Sequence, residues 1–203
     1  MRVPFASSSI VILAAASSTA GADEVQRSHR FDTTGIERLH IDHRAGVLIL
    51  EPAPGNQIEV ELRIEPQEDR EVEVADLDLT SSVRGDRLTL DFGESDVHSH
   101  MLVRLPSLER LTIDAGAGEV QGTLPPMETQ VKLGAGTVDL NVDRSSTGRI
   151  DLRALVGDTA VDGAQNAETN RILLVGSSSS AAGDGSHRVE ARVRAGDVRV
   201  GLR

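Results

Sequence analysis

The chain of 203 residues contains no cysteine, no tryptophan and no tyrosine, and its three phenylalanines are its only aromatic residues. Without cysteine no disulfide can form, and no thiol follows Ala22 to carry a lipid anchor. Beyond the first residues only Phe31 and Phe92 remain, so there are no aromatic platforms on which bases could stack. Positive charge is also in short supply, with 21 Lys and Arg against 32 Asp and Glu and a net charge of −11. That balance opposes a phosphate backbone, which draws its affinity from cations, and nucleic acid is excluded as a partner class. Nor is any apolar run long enough to cross a bilayer as a helix, which takes roughly 20 residues.

What is present begins with MRVPFASSSIVILAAASSTAGADE. One arginine, an apolar run from Ile10 to Ala16 and small residues up to Ala20-Gly21-Ala22 form the three parts of a secretory signal peptide, 1–22. Cleavage after Ala22 removes Arg2 alone among the charges and leaves 20 basic against 32 acidic residues, a net −12. The exported remainder, 23–203, has a length suited to one domain. Its core has to be made of Val, Leu, Ile and Ala, small side chains that suit a narrow interior.

A motif recurs around Gly118, Gly136, Gly157, Gly176 and Gly196, at steps of 18, 21, 19 and 20 residues. Read by twos, Ile113, Ala115 and Ala117 lead into Gly118, and Val131, Leu133 and Ala135 into Gly136. Leu152, Ala154 and Val156 lead into Gly157, Leu173 and Val175 into Gly176, and Ala191, Val193 and Ala195 into Gly196. Alternation resumes after the glycine at Val120, at Val138 and Leu140, at Thr159 and Val161, and at Val198 and Val200. This is the period of strands with one buried face. The Gly176 copy breaks off into SSSSAAGDGS.

A repeat of about 20 residues with a strand on either side of a glycine predicts a parallel β-solenoid, in which each coil buries its apolar face only by stacking on the next. An antiparallel β-sandwich has the same alternation and the same taste for glycine at turns, and stands as the alternative. LHIDHRAGVLILEP, Leu39 to Pro52, repeats the pattern around Gly46, with His43 at an inward position. Further strands are predicted over Ile58 to Ile64, Leu77 to Val83 and Arg87 to Phe92, with a solvated connection between Ile64 and Leu77. The chain thus divides into a less regular part, 23–110, and a regular repeat, 111–203.

The order FDTTGIERLHIDHRAGVLILEP, GDRLTLDF, LVRLPSLERLTIDAGAGEV and then spaced glycine copies resembles the bacterial putative adhesin family, a domain-of-unknown-function group of exported envelope proteins. The most specific stretch is MLVRLPSLERLTIDAGAGEV, Met101 to Val120, and the likeness covers nearly all of the chain after the signal peptide. The resemblance implies a right-handed parallel β-solenoid in the periplasm or on the cell surface, an adhesin-like binding or structural role, and no catalytic residues. The repeat itself makes Gly46, Gly118, Gly136, Gly157, Gly176 and Gly196 the structural residues. The serine-rich copy departs from the family pattern.

His98 and His100 share one strand face and His40 lies near His43, but neither pair has a third ligand in reach by sequence, so no metal site is expected. Ser177 to Ser180, Asp184 and His187 hold the residue types of a hydrolase triad, yet GSSSSAAGDGSHR reads as a mobile loop. The position after each glycine holds Glu119, Thr137, Asp158, Ser177 and Asp197, predicting a ladder in which acids alternate with hydroxyls. Such a ladder is also a candidate for calcium, or for a carbohydrate-active pair of carboxylates such as Asp158 and Asp197. The last copy, VEARVRAGDVRVGLR, is read as the final coil with charged residues guarding an open edge. The function expected is non-enzymatic and without cofactor, with an envelope component or a protein as partner and self-association through the solenoid ends.

Overall fold

The computed structural model describes residues 24–67, 72–164, 166–172 and 175–203; the predicted signal peptide and Leu173 lie outside the described residues. Its elements are β1 (Val25–Asp32), β2 (Arg38–Pro52), β3 (Gln57–Pro66), one 3-10 turn (Val74–Asp76), β4 (Thr80–Arg84), β5 (Arg87–Phe92) and β6 (Val97–Leu105). These are followed by β7 (Arg110–Thr123), β8 (Glu128–Val142), β9 (Thr147–Val156), β10 (Thr159–Asp162), β11 (Glu168–Ile172), β12 (Gly176–Ala182) and β13 (His187–Leu202). The protein is all-β. A single mixed sheet of 13 strands runs in the order β1-β3-β6-β2-β7-β8-β13-β9-β12-β11, with β4 and β5 beside β2 and β10 beside β13.

At its centre the repeat copies lie side by side in parallel. Leu39, Ile41 and Gly46 of β2 pair with Leu111, Ile113 and Gly118 of β7. These in turn pair with Thr129, Val131 and Gly136 of β8, which meet Val189, Ala191 and Gly196 of β13. On one side β5 and β6 together cover the two halves of β2, and on the other β9 and β10 together cover the two halves of β13. The result is six bent tiers in common register, each with two arms. In space they run 87–105, 38–52, 110–123, 128–142, 187–202 and 147–162. Antiparallel strands finish both ends: β3 on β6, β1 on β3 and β4 on β5 at one, β12 on β9 and β11 on β12 at the other.

The stacking order corrects two expectations. The tiers do not follow the chain, because the first two and the last two are transposed. The C-terminal copy is not a final coil with an open edge, since β13 is hydrogen-bonded to β8 on one side and to β9 and β10 on the other. The serine-rich segment is not a loop either: Gly176–Ala182 is a strand, antiparallel to β9, with Ser177 and Ser179 buried. Gly176 therefore stands outside the parallel stack.

Five of the six tiers turn their corner at a repeat glycine, and in the tier 87–105 Ser99 stands beside Gly46. Inward residues Leu39, Ile41 and His43 are followed, five positions later, by Leu48 and Leu50. In a regular strand an odd step changes face, so an extra residue has to be absorbed at the bend. A positive φ does this, +127° at Gly118 and +129° at Gly136, in a region that side chains rarely adopt. The corner also brings backbones together: a Cβ on Gly118 would stand 1.9 Å from the Gly46 carbonyl oxygen, and one on Gly136 1.8 Å from that of Gly118. The alanines before the glycine do not narrow the interior as expected, because Ala117, Ala135 and Ala195 are on the exposed outer side of the corner.

Both arms face one core, with Leu39, Ile41, Leu48, Leu50, Leu88, Leu90, Leu111, Ile113, Val131, Val138, Leu140 and Val200 all at 1 % exposure or less. Complete burial of such a side chain is worth about 2 kcal/mol, and the aliphatic columns make up for the scarcity of aromatics. Phe31 and Phe92, at 3 % and 1 % exposure, are spent on this core.

Candidate functional site

Along the outer side of the first arms, beside the corner, runs a groove of about 930 Å³. It is lined by residues four and two positions before the corner glycines, together with Asp91 and Gly93 of the outermost tier. Parallel register places one residue from every tier in a single column: Asp91, Asp42, Asp114, Lys132, Arg192 and Arg153. Three carboxylates are followed by three cations. The neighbouring column contains Arg44, Gly116, Gly134, Arg194 and Leu155. Gly116 and Gly134 keep the floor at backbone level, since a Cβ on either would lie 2.3 Å from the carbonyl oxygen of the tier beside it.

The two halves of the groove neutralise each other only where they meet. Lys132 Nζ is 3.2 Å from Asp114 Oδ1, and His40 Nε2 is 3.2 Å from Asp114 Oδ2. Arg192 is paired with Glu190. Asp42, Asp91, Arg44, Arg153 and Arg194 make no ion pair among the described residues, and all five are exposed. Next to the basic half, Asp151 receives Arg149 Nε and Arg188 Nη2, each at 2.8 Å. Its partial burial favours the neutral acid, but the two guanidinium groups outweigh it and hold the carboxyl below its ordinary range.

His43 has another role. Its Nε2 is 2.8 Å from Ser99 Oγ, which donates its own hydrogen to the Ala45 carbonyl at 2.5 Å. A hydroxyl has one proton to give, so Ser99 accepts from His43 and the imidazole carries its hydrogen on Nε2. Burial, reinforced by the neighbouring His100, lowers the His43 pKa to about 4. The pair is a satisfied core contact with no nitrogen lone pair aimed at Ser99 to act as a base. His40 and His43 project to opposite faces, as an odd spacing in a strand requires, and His98 and His100 are both exposed while Ser99 between them is buried. Among the described residues there is no group of three or more His, Asp or Glu side chains that could hold a metal.

The predicted ladder after the glycines also takes a different order. Glu119 neighbours Thr137 and Thr137 neighbours Asp197. Asp197 Oδ1 then accepts the Asp158 backbone N–H at 2.9 Å. Interposing β13 puts the two aspartates in adjacent tiers, so acids and hydroxyls do not alternate throughout. Ser177 is absent from that ladder. It belongs instead to a hydroxyl cluster in which buried Thr159 Oγ1 is 2.7 Å from Ser179 Oγ and 3.1 Å from Ser177 Oγ, with the exposed Thr169 Oγ1 2.8 Å from Ser179 Oγ at its edge. Ser177 and Ser179 also donate to the Gly157 and Thr159 carbonyls, at 3.1 and 3.0 Å, so no triad is assembled there.

Of the residues predicted to be structural, Gly46, Gly118, Gly136 and Gly196 stack in one column, and a Cβ on Gly157 would lie 2.0 Å from the Gly196 carbonyl oxygen. The groove itself was not anticipated. Its signal lay in the residues four before Gly46, Gly118, Gly136, Gly157 and Gly196, acidic in the first two and basic in the last three, to which the register adds Asp91.

The fold is similar to that of a solved protein. A putative cell adhesion protein from Clostridium sporogenes ATCC 15579 superposes with a TM-score of 0.52 at 11 % identity, over 88 % of this chain and 99 % of that one. A putative adhesin from Parabacteroides distasonis ATCC 8503 is matched with a TM-score of 0.29 at 13 % identity, over 87 % and 71 % of the two chains. A putative adhesin from Bacteroides fragilis NCTC 9343 is matched with a TM-score of 0.28 at 9 % identity, over 87 % and 97 %. The similarity to the Clostridium sporogenes protein is one of fold, and it agrees with the resemblance to the putative adhesin family. No family model matches the chain, and no curated protein matches it.

Proposed function

We propose that this is an exported cell-envelope protein of the binding type, adhesin-like and without catalytic activity, whose residues 23–203 form one parallel β-solenoid domain. The reading rests above all on the groove, an open channel of about 930 Å³ that crosses the six tiers and holds exposed charges with no ion pair among the described residues. Charged groups of this kind steer and orient a partner more than they stabilise a fold. In-register parallel pairing of the bent tiers supports the solenoid over the sandwich, because a sandwich is built from antiparallel neighbours.

Localisation in the periplasm or on the cell surface accords with the signal-peptide pattern of 1–22 and with adhesin-type proteins of the same fold. Self-association through the ends would employ the edges of β1 and β11, the last strands of the sheet order, and not β13. The decisive experiment is retention of the purified exported chain by isolated cell-wall and outer-membrane fractions, compared with a quadruple variant in which Asp42, Asp91, Arg153 and Arg194 become Asn, Asn, Gln and Gln. Saturable retention that the variant loses is the expected result. Equal retention of both proteins would remove the groove from the function.

A further inference from the structure

We infer that the groove binds an extended zwitterionic ligand of the class of a short peptide with free termini, ammonium over Asp91 and Asp42 and carboxylate over Arg153 and Arg194; this rests on the groove being the binding surface. Polarity is the first argument. Across the register of the first column the charges do not alternate, as they would to relieve repulsion between adjacent tiers; they segregate into Asp91-Asp42-Asp114 and Lys132-Arg192-Arg153, with Arg44 of the neighbouring column beside the acidic half. Like charges at neighbouring positions cost stability, and the ligand that offsets this cost at both ends is one with opposite charges at its own ends.

Length is the second. Tiers are about 4.8 Å apart, so Asp42 and Arg192 are separated by about 14 Å, and Asp91 and Arg153 by about 24 Å. An extended chain advances about 3.3 Å per residue, which fits the span to roughly five to seven residues. The middle of the groove suits the body of such a ligand. There the Asp114–Lys132 pair is already neutralised at 3.2 Å, and Gly116 and Gly134 leave the floor without side chains.

Competing occupants match less of the groove. A neutral glycan has no aromatic face to stack on, because both phenylalanines of the exported chain are in the core. A polyanion would be drawn to the cations but would lay its other half on three carboxylates. A second copy would present a groove of its own to this groove and leave both unfilled.

The probe is hexaglycine in four forms, free, N-acetylated, C-amidated and doubly blocked, titrated calorimetrically into the exported chain at low ionic strength. Each block removes one charge-assisted contact and is expected to weaken binding about tenfold, with both together about a hundredfold. Asp42→Asn with Asp91→Asn should abolish the penalty for acetylation only, and Arg153→Gln with Arg194→Gln the penalty for amidation only. Lys132 is the only lysine of the chain, so methylation with ¹³C-formaldehyde marks the centre of the groove for NMR. Its resonance should shift on binding.

No binding of any form, equal binding of all four, or binding that leaves the Lys132 signal unmoved would overturn the ligand assignment. So would tight binding of tripolyphosphate that is indifferent to the aspartate substitutions, which would mark a simple anion site. A dimer in analytical ultracentrifugation that the same substitutions dissolve would assign the groove to a second copy. If the groove variants abolish retention by envelope fractions while hexaglycine fails, the ligand class falls and the groove stands; if retention is unaffected, both fall.

Discussion

Replacing Gly136 by alanine separates two costs that coincide at each corner. The first is conformational: φ is +129° there, and holding an L residue in so sparsely populated a region costs about 1–3 kcal/mol. The second is steric and comes from the next tier. The new Cβ would stand 1.8 Å from the Gly118 carbonyl oxygen, whereas real Cβ contacts essentially never fall under 3.0 Å, so the strands have to part by roughly 1 Å or more. Strands so displaced lose flanking ladder hydrogen bonds to β7, each worth about 1 kcal/mol net.

Together these predict a loss of about 3–6 kcal/mol, a large share of the 5–15 kcal/mol by which a domain is ordinarily stable. Gly55→Ala is the control, because Gly55 has φ +91° and a Cβ there would meet nothing within 4 Å. It should lose only the conformational part, about 1–2 kcal/mol. Urea titration followed by circular dichroism gives both numbers if the slopes of the two variants agree. Losses that differ by less than about 1 kcal/mol would refute the close-approach argument and with it the account of why the column is glycine.

Three further outcomes are expected. His43 is held at about 4 in the fold against 6.5 when free, so unfolding takes up a proton between those values. Stability should therefore fall as pH drops from about 6.5 to 4, by at most about 3 kcal/mol, and His43→Leu should flatten that slope in urea midpoints measured across the window. Thr159→Val takes a hydroxyl from the cluster with Ser177 and Ser179 and should cost about 1–3 kcal/mol, with Ser177→Ala less damaging in that background than alone. By contrast, Arg104 bonds Glu51 at 3.0 Å and Glu61 at 2.5 Å on the solvent side, and Arg104→Ala should lower stability by less than about 1 kcal/mol in the same titration.

Much of the fold was legible before the structure. Alternation identified Leu39, Ile41, Leu111, Ile113, Val131, Leu133 and Val138 as inward, because facing is a local property of an extended backbone. The corner glycines of five tiers were legible for a related reason, since a bend that needs a positive φ and a close approach leaves glycine at the same place in those copies. The alanines beside them were misplaced, because the change of face at the corner depends on a backbone angle that residue identity does not reveal. The strand at Gly176–Ala182 was likewise read as a loop, since serine is as common in loops as in the hydroxyl-lined end of a core.

By itself the sequence determined the strands, the apolar face of each arm, the positions of the bends and the absence of disulfides. Tertiary structure alone decided which tiers are neighbours. Alternation encodes the face a residue occupies and is silent about the strand beside it, and the aliphatic columns of the tiers are similar enough to accept more than one order. The transposition of 38–52 with 87–105, and of 147–162 with 187–202, sets which charges are neighbours within each half of the column, Asp91-Asp42-Asp114 and Lys132-Arg192-Arg153. In chain order the column would read Asp42, Asp91, Asp114, Lys132, Arg153 and Arg192, so its division into an acidic and a basic half is already that of the sequence. Structure thus added the groove, its glycine floor and the unpaired charges within it, because these depend on distances between residues that no local pattern relates.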